Sequence, residues 1–496
     1  MSAAAARGPL VRPVQAGAQS LRQLAYADPA SFPVLLDSSA DGELGRFSVL
    51  AAFPQAALWQ DGAGLHGESI TAGLPLASQR GFLHALGAAW RSEATANAAA
   101  GPCTRGLPGP FHGGWMVFLG YELAAQIEPR LSLPSVPSTG RAQMAFALRI
   151  AAALVFDHRT GGAWLIAEAG REDLLQRLAA ALAALPAPPA HDAAAGLLLS
   201  DEQSLPALAL QEEAPERFRR RVEAALEYIR AGDIYQANLS RAWRGEFAAS
   251  AASAADAGGP APGLAAALYE RLRRANPAPF AALAQYRGWS LLCSSPERLV
   301  RVADGHVDTR PIAGTRPRSR AAGADERELA AMVANPKERA EHIMLVDLER
   351  NDLGRICEAG SVRAEPIMVT ESYAHVHHIV SNVSGQLRAG LTPMDVLRAV
   401  FPGGTITGCP KFRCMQIIAE LEGEPRAAYT GAIGFINHDG SMDLNILIRS
   451  LTLCGHRLEF RAGAGIVADS DWQRELEETR AKARGVLAAL RAALPP

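Results

Sequence analysis

The chain has 496 residues, of which 49% are apolar and 20% charged, the balance of a soluble globular protein with room for two average domains or one large one. A formal net charge of −2 excludes whole-molecule attraction to nucleic acid or an anionic membrane, so any anion must be recognised locally. The six cysteines lack zinc-site spacing and disulfide density, no apolar run nears the ~20 residues of a membrane helix, and "MSAAAARGPLVRPVQAG" is not a signal peptide; a reducing, cytoplasmic location is expected.

In chain order, "FPVLLDS" and "ALRIAAALVFD" read as strands, with "GGWMVFLGYELA" between them. "LPAPPAHDAAAGLLLSDEQSLP" (185–206) reads as a linker. It divides an N-terminal region, 1–185, from a C-terminal region, 207–496, with 186–206 between. "PERFRRRVEAALEYIRAGD" places Phe218, Val222, Ala225, Leu226 and Ile229 on one helical face, with Pro215 near its start and Gly232 at its end. "FAASAASAADAGGPAPG" (247–263) reads as a loop. Strand-like segments then alternate with helices beginning near Pro336, Pro410 and Asp471, and Asp439-Gly440 makes a hairpin turn. The pattern is α+β, rich in antiparallel hairpins, and lacks the βαβ rhythm of a dinucleotide fold.

Several stretches could carry chemistry. In "DLNILIRSLTL", period two puts Leu447, Arg449, Leu451 and Leu453 on one strand face, so the guanidinium needs a partner: a bound carboxylate or a structural ion pair. "RAGAGIVADS" offers Gly463 and Gly465 directly after a strand, either as an anion-binding backbone or as a plain bulge. "FPGGTITGCPK" lacks the Lys and hydroxyl of a P-loop, and a glycine-rich loop entering a helix is sufficient there. Glu341 shares a helix face with Leu345 and Leu348, so its carboxylate is paired or holds a cation, whereas Glu478 could simply pair with Lys482. Glu297 follows a strand and a proline; His378 lies in a strand-like run as a core residue or an acid–base group, and spacing does not decide.

Taken together, "GDIYQANLSR", "SSPERL", "PIAGTRPR", "ERAEHIMLVDLERNDLGR", "HVHHIVSNVSG", "FPGGTITGCPK", "YTGAIGF", "MDLNILIRSL" and "GAGIVADSD…ELEETRAKA" resemble the chorismate-utilising enzymes from about residue 210 to 490. The resemblance implies two related α/β halves forming a sheet sandwich, intertwined as one domain. It makes Glu341 and Glu478 the Mg²⁺ carboxylates, Glu297 the acid for the departing C4 hydroxyl, and His378 its assistant. It makes Gln236, Thr315, Tyr429, Arg449, Gly463 and Gly465 substrate-binding. A positioned acid and a Lewis-acid metal suit the displacement of so poor a leaving group.

Isochorismate and salicylate synthases carry a lysine, used to activate water, where this chain has Gln236, so the resemblance implies ammonia as nucleophile. No cysteine lies in the G-x-C-x-G context of a glutaminase, so ammonia is expected from a separate glutamine amidotransferase subunit. "PIAGT", with Ala313, is the anthranilate synthase form. "GDIYQANLSR", "MDLNILIR" and "HGGWMVFLGYELA" are instead similar to aminodeoxychorismate synthase component I, which is the expected branch, with anthranilate synthase component I the alternative. "LLDS" (35–38) fits the family's tryptophan-site pattern, but "NPAPFAA" (276–282) departs from it. From another class, a non-catalytic regulatory or binding subunit is disfavoured by the retained carboxylates and arginine.

Overall fold

A computed structural model describes residues 8–40, 42, 44–70, 80–98, 106–136, 143–186, 205–248, 263–317, 326–327, 329–330, 334–372 and 376–491. Most of each low-complexity break, 187–204 of the first and 249–262 of the second, lies outside the described residues.

Two antiparallel sheets, one of twelve strands and one of ten, dominate the fold. Alternating apolar residues explain why the sheets stack. Val34, Val49, Ala282 and Trp289 of the larger sheet meet Met116, Phe118, Phe146 and Phe435 of the smaller in one buried cluster. The outer face of the larger sheet packs with Leu21, Leu174, Leu268 and Val486 from four helices. The outer face of the smaller packs with Leu86, Val346 and Leu397 from three others. Helices therefore cover both outer faces of a two-sheet core.

The chain intertwines its early and late strands in both sheets. Val34–Asp37 pairs with Phe280–Tyr286 in the larger sheet, and Gly114–Leu119 with Ala432–Asn437 in the smaller. Each half repeats one route: two strands of the smaller sheet, a crossing, then two strands of the larger. The first half uses Gly114–Leu119, Ala145–Ile150, Ala152–Asp157 and Ala163–Ala167; the second uses Ala432–Asn437, Met442–Ile446, Ser450–Cys454 and Arg457–Ile466.

This route corrects two expectations, because "ALRIAAALVFD" and "MDLNILIRSLTL" each form two strands in different sheets. In the second, Leu447 packs between the sheets while Leu451 and Leu453 pack on the outer face of the larger one, so the four residues do not share a face. The physical reason is that a buried crossing keeps its apolar character, which period two cannot distinguish from a continuous strand.

The helices carry the expected signals. Pro215–Arg230 begins on its proline, and Phe218, Val222 and Ala225 are fully buried; burying one such large apolar side chain is worth roughly 1.5–3 kcal/mol. Trp472–Leu490 is capped by Asp471, whose carboxylate accepts the N–H groups of Gln473 and Arg474 at 3.1 Å each. Pro336–Gly354 starts on its proline, and Lys411–Glu422 starts after Pro410 and ends at Gly423 in the left-handed region. At the hairpin, Gly440 has φ 86°. Among the described residues no helix is long and apolar enough to cross a membrane.

Candidate active site

The floor of the site is the ladder between Gln236–Phe247 and Arg457–Ile466, in which Asn238 faces Gly465 and Ser240 faces Gly463. Both glycines lie inside the strand rather than after it, which corrects the sequence expectation. What makes glycine necessary is close approach. A Cβ at Gly463 would lie 2.6 Å from both Asn238 Oδ1 and Tyr429 Oη, and one at Gly465 would lie 2.3 Å from Gln236 Nε2 and 3.3 Å from Glu341 Oε1. On the other side of Arg457–Ile466, the strand Ser450–Cys454 pairs with its first part, Arg457–Phe460. Past Phe460 that edge of the backbone has no strand partner among the described residues, and Lys482 Nζ donates to Gly463 O there at 3.1 Å.

Helices bring the carboxylates to this floor. Glu341, on Pro336–Gly354, accepts a hydrogen bond from Gln236 Nε2 at 2.7 Å. Glu478, half-exposed on Trp472–Leu490, pairs with Lys482 at 2.7 Å, the i,i+4 contact its spacing suggested. Burial works against the Lys482 charge, but Glu478 outweighs it and holds the ammonium above its usual range. Tyr429 and Arg449 also act on that charge, so the three lie in one neighbourhood.

Tyr429 is carried by a loop whose backbone is held from the first half of the chain. Glu122 accepts the N–H groups of Arg426 at 2.7 Å and Ala427 at 3.1 Å. The Arg426 guanidinium lies 5.6 Å from the Tyr429 ring centre and 5.0 Å from that of Tyr121, and it donates to Glu422 at 2.7 Å. Burial pushes the Tyr429 phenol up, Arg426 opposing, so the phenol stays protonated and can donate.

Arg449 lies at the crossing between the sheets with φ 51°, a left-handed conformation costly for a residue with a Cβ. Its carbonyl accepts Ser294 N–H at 3.3 Å. Burial depresses its affinity for the proton, and Glu297 is the charge that offsets this.

Glu297 is 4% exposed, in the turn between Trp289–Ser295 and Arg298–Ala303. Thr405 Oγ1 donates to its Oε1 at 2.7 Å. Burial pushes its carboxyl up to about 7, against the Thr405 hydrogen bond and with the help of the Glu349 charge. A carboxyl so placed can hold a proton near neutral pH and release it to a substrate oxygen.

Thr315 and His378 face each other across the strands Ile312–Pro317 and Val376–Val380, with a register shift between Ala313 and Thr315. Ala313 faces Ile379. The side chains of Ala313, Thr315 and His378 lie outside the described residues.

Three site residues were missed in the sequence reading: Thr405, Asn238 and Lys482 in its own right. Thr405 stands among the glycines of "FPGGTITG", a loop dismissed once its P-loop reading failed. Lys482 was considered only as a partner for Glu478. A cavity of about 890 Å³ lies elsewhere, lined by Ser38, Pro279 and Phe280 among others.

Comparison with known proteins shows the family. The family described as chorismate binding enzyme matches residues 59–488. Anthranilate synthase component 1 of Streptomyces coelicolor is 41% identical over 399 residues, covering 78% of this chain and 74% of the relative. Aminodeoxychorismate synthase component 1 of Bacillus subtilis is 37% identical over 399 residues, covering 77% of each. Among solved structures, anthranilate synthase component I from Streptococcus pneumoniae superposes with a TM-score of 0.71 at 31% identity, covering 90% of this chain and 93% of that one. The match takes in strands of both sheets and the helices that bring carboxylates to the cleft, so the chain belongs to the chorismate binding enzyme family and is a chorismate-utilising enzyme.

Proposed function

We propose that the protein is aminodeoxychorismate synthase component I: it replaces the C4 hydroxyl of chorismate with ammonia, supplied by a separate glutamine amidotransferase subunit, to give 4-amino-4-deoxychorismate for 4-aminobenzoate and folate synthesis. The carrying observation is on the floor strand. Gln236 Oε1 and Asn238 Oδ1, two residues apart on one face, are buried acceptors without a hydrogen-bond partner among the described residues. Two such oxygens, the first on the amide that donates to Glu341, suit an N–H donor. The amide of Gln236 cannot serve as the base that would activate water.

Arg449, Tyr429 and Lys482 hold one substrate carboxylate at the open edge of the strand, with Gly463 and Gly465 leaving room for it. Glu297 protonates the departing hydroxyl oxygen, which leaves as water while the C–N bond forms between ammonia and C4, and the resulting ammonium returns a proton to the Glu297 carboxylate. His378 assists near the leaving group, and Thr315, its register partner on the adjacent strand, binds substrate. Carboxylate oxygens are the donors Mg²⁺ prefers, one or two of them together with substrate oxygens. Glu341 and Glu478 would hold it, and when bound it supplies Lewis-acid neutralisation of the substrate's negative charge.

A second reading, anthranilate synthase component I, is favoured by Ala313 and by the Streptomyces coelicolor relative. Incubation with chorismate, Mg²⁺ and ammonium, followed by mass analysis, separates the two. A 4-amino product retaining its enolpyruvyl group is expected; anthranilate with an equal amount of pyruvate, with no lyase added, would establish the second reading instead.

A further inference from the structure

Among the buried carboxyls that the mechanism above does not use, one touches the loop that holds the acid. Glu349, 3% exposed on Pro336–Gly354, accepts Gly404 N–H on Oε1 and the Thr309 hydroxyl on Oε2, each at 3.2 Å. The next residue, Thr405, is the one that donates to Glu297. The loop is seated on the helix without spare room: a Cβ at Gly404 would lie 2.6 Å from Leu348 Cδ2 and 3.0 Å from Glu349 Oε1. Burying a carboxyl is costly, and leucine or methionine would fill the same volume more cheaply. A polar group there therefore points to a task.

We infer that Glu349 is a positioning residue for Glu297: by holding the Gly404–Thr405 turn it aims the Thr405 hydroxyl at Glu297 Oε1, and it sets a second acidic group facing the acid. The inference rests on the reading of Glu297 as the proton donor.

The groups around the pair make the expected sign clear. Glu349 is faced by Asp352 on its own helix, by Lys411 across from it, and by Thr309 and Gly404. Glu297 is faced by Thr405, Glu349 and Arg449. Burial holds the Glu349 carboxyl well above its usual range, with Asp352 adding and Lys411 opposing. The Glu349 charge raises the proton affinity of Glu297, and the Thr405 hydrogen bond lowers it. The two contacts should therefore displace the acid's titration in opposite directions when removed.

The experiment compares Glu349→Gln, Thr405→Val and Glu297→Gln in the full chain, with Mg²⁺ and ammonium, measuring kcat and KM for chorismate against pH. Glu349→Gln should lower kcat about ten-fold with KM within about two-fold. The pH at which its rate falls on the alkaline side should move down by about one unit. Thr405→Val should also lose rate, but with that pH moved up. Native kcat and an unmoved alkaline limb in Glu349→Gln, while Glu297→Gln is inactive, would overturn the positioning role alone. Near-native turnover in Glu297→Gln would overturn the acid reading beneath it. Should Glu349→Gln fail to fold by circular dichroism, Thr405→Val decides: an unchanged rate and limb would overturn the inference.

Discussion

The two crossings between the sheets solve one problem with different residues. In the first half the chain passes from Ala145–Ile150 to Ala152–Asp157 through Ala151 alone, 1% exposed and packed in the outer core of the larger sheet. In the second it takes Leu447, Ile448 and Arg449 to pass from Met442–Ile446 to Ser450–Cys454, and Arg449 sits in strained left-handed backbone. The strands that follow differ in the same sense. Ala163–Ala167 reads "AWLIA" and fills its space with side chains, whereas Arg457–Ile466 contains "RAGAG" and leaves an open edge. One half is built for packing; its counterpart gives up packing and relaxed backbone where it carries Arg449 and the two glycines.

Substitutions at equivalent places should separate these roles. The largest effect is expected at the acid beside the second crossing. Glu297→Gln should lower kcat about 10²–10⁴-fold with the fold intact, measured by chorismate consumption. At the crossing itself, Arg449→Ala should weaken chorismate binding by about 2–5 kcal/mol in a titration, with little change in thermal midpoint. Ala151→Val, in the first crossing, should do the reverse: about 1–3 kcal/mol of stability lost to overpacking, and chorismate affinity unchanged.

A stability effect of opposite sign is expected at Glu297. Its carboxyl is raised from the ordinary 4.5 to about 7, so the folded protein keeps a proton that the unfolded chain releases between those values. Stability therefore falls as pH rises from about 4.5 to about 7 and carries the full penalty above that, on the order of 3 kcal/mol. Glu297→Gln removes the penalty. By denaturant titration it should be more stable than the native protein at pH 8, with the gap closing as pH approaches 4.5. The smallest effect concerns backbone strain alone: Arg449→Gly should be more stable than Arg449→Ala by about 1 kcal/mol, because glycine accepts φ near 51° without penalty.

Much of this protein could be read from its residues in order. Pro215, Pro336, Pro410 and Asp471 marked helix starts because they act on adjacent backbone, and Asp439-Gly440 marked its hairpin for the same reason. The motif resemblance identified the family because its residues recur in order along the chain. What only the tertiary structure decided depends on partners distant in sequence. That one apolar run crosses between two sheets follows from which strands flank it, since a crossing residue is as buried as a strand residue. That Gly463 and Gly465 are needed follows from Tyr429, Asn238, Gln236 and Glu341 closing on them, and not from any turn of their own. That Glu297 can hold a proton near neutral pH follows from the depth of its burial and from Glu349, 52 positions away along the chain, facing it across the loop that carries Thr405. Dielectric and distance set that affinity, and both are properties of the folded interior.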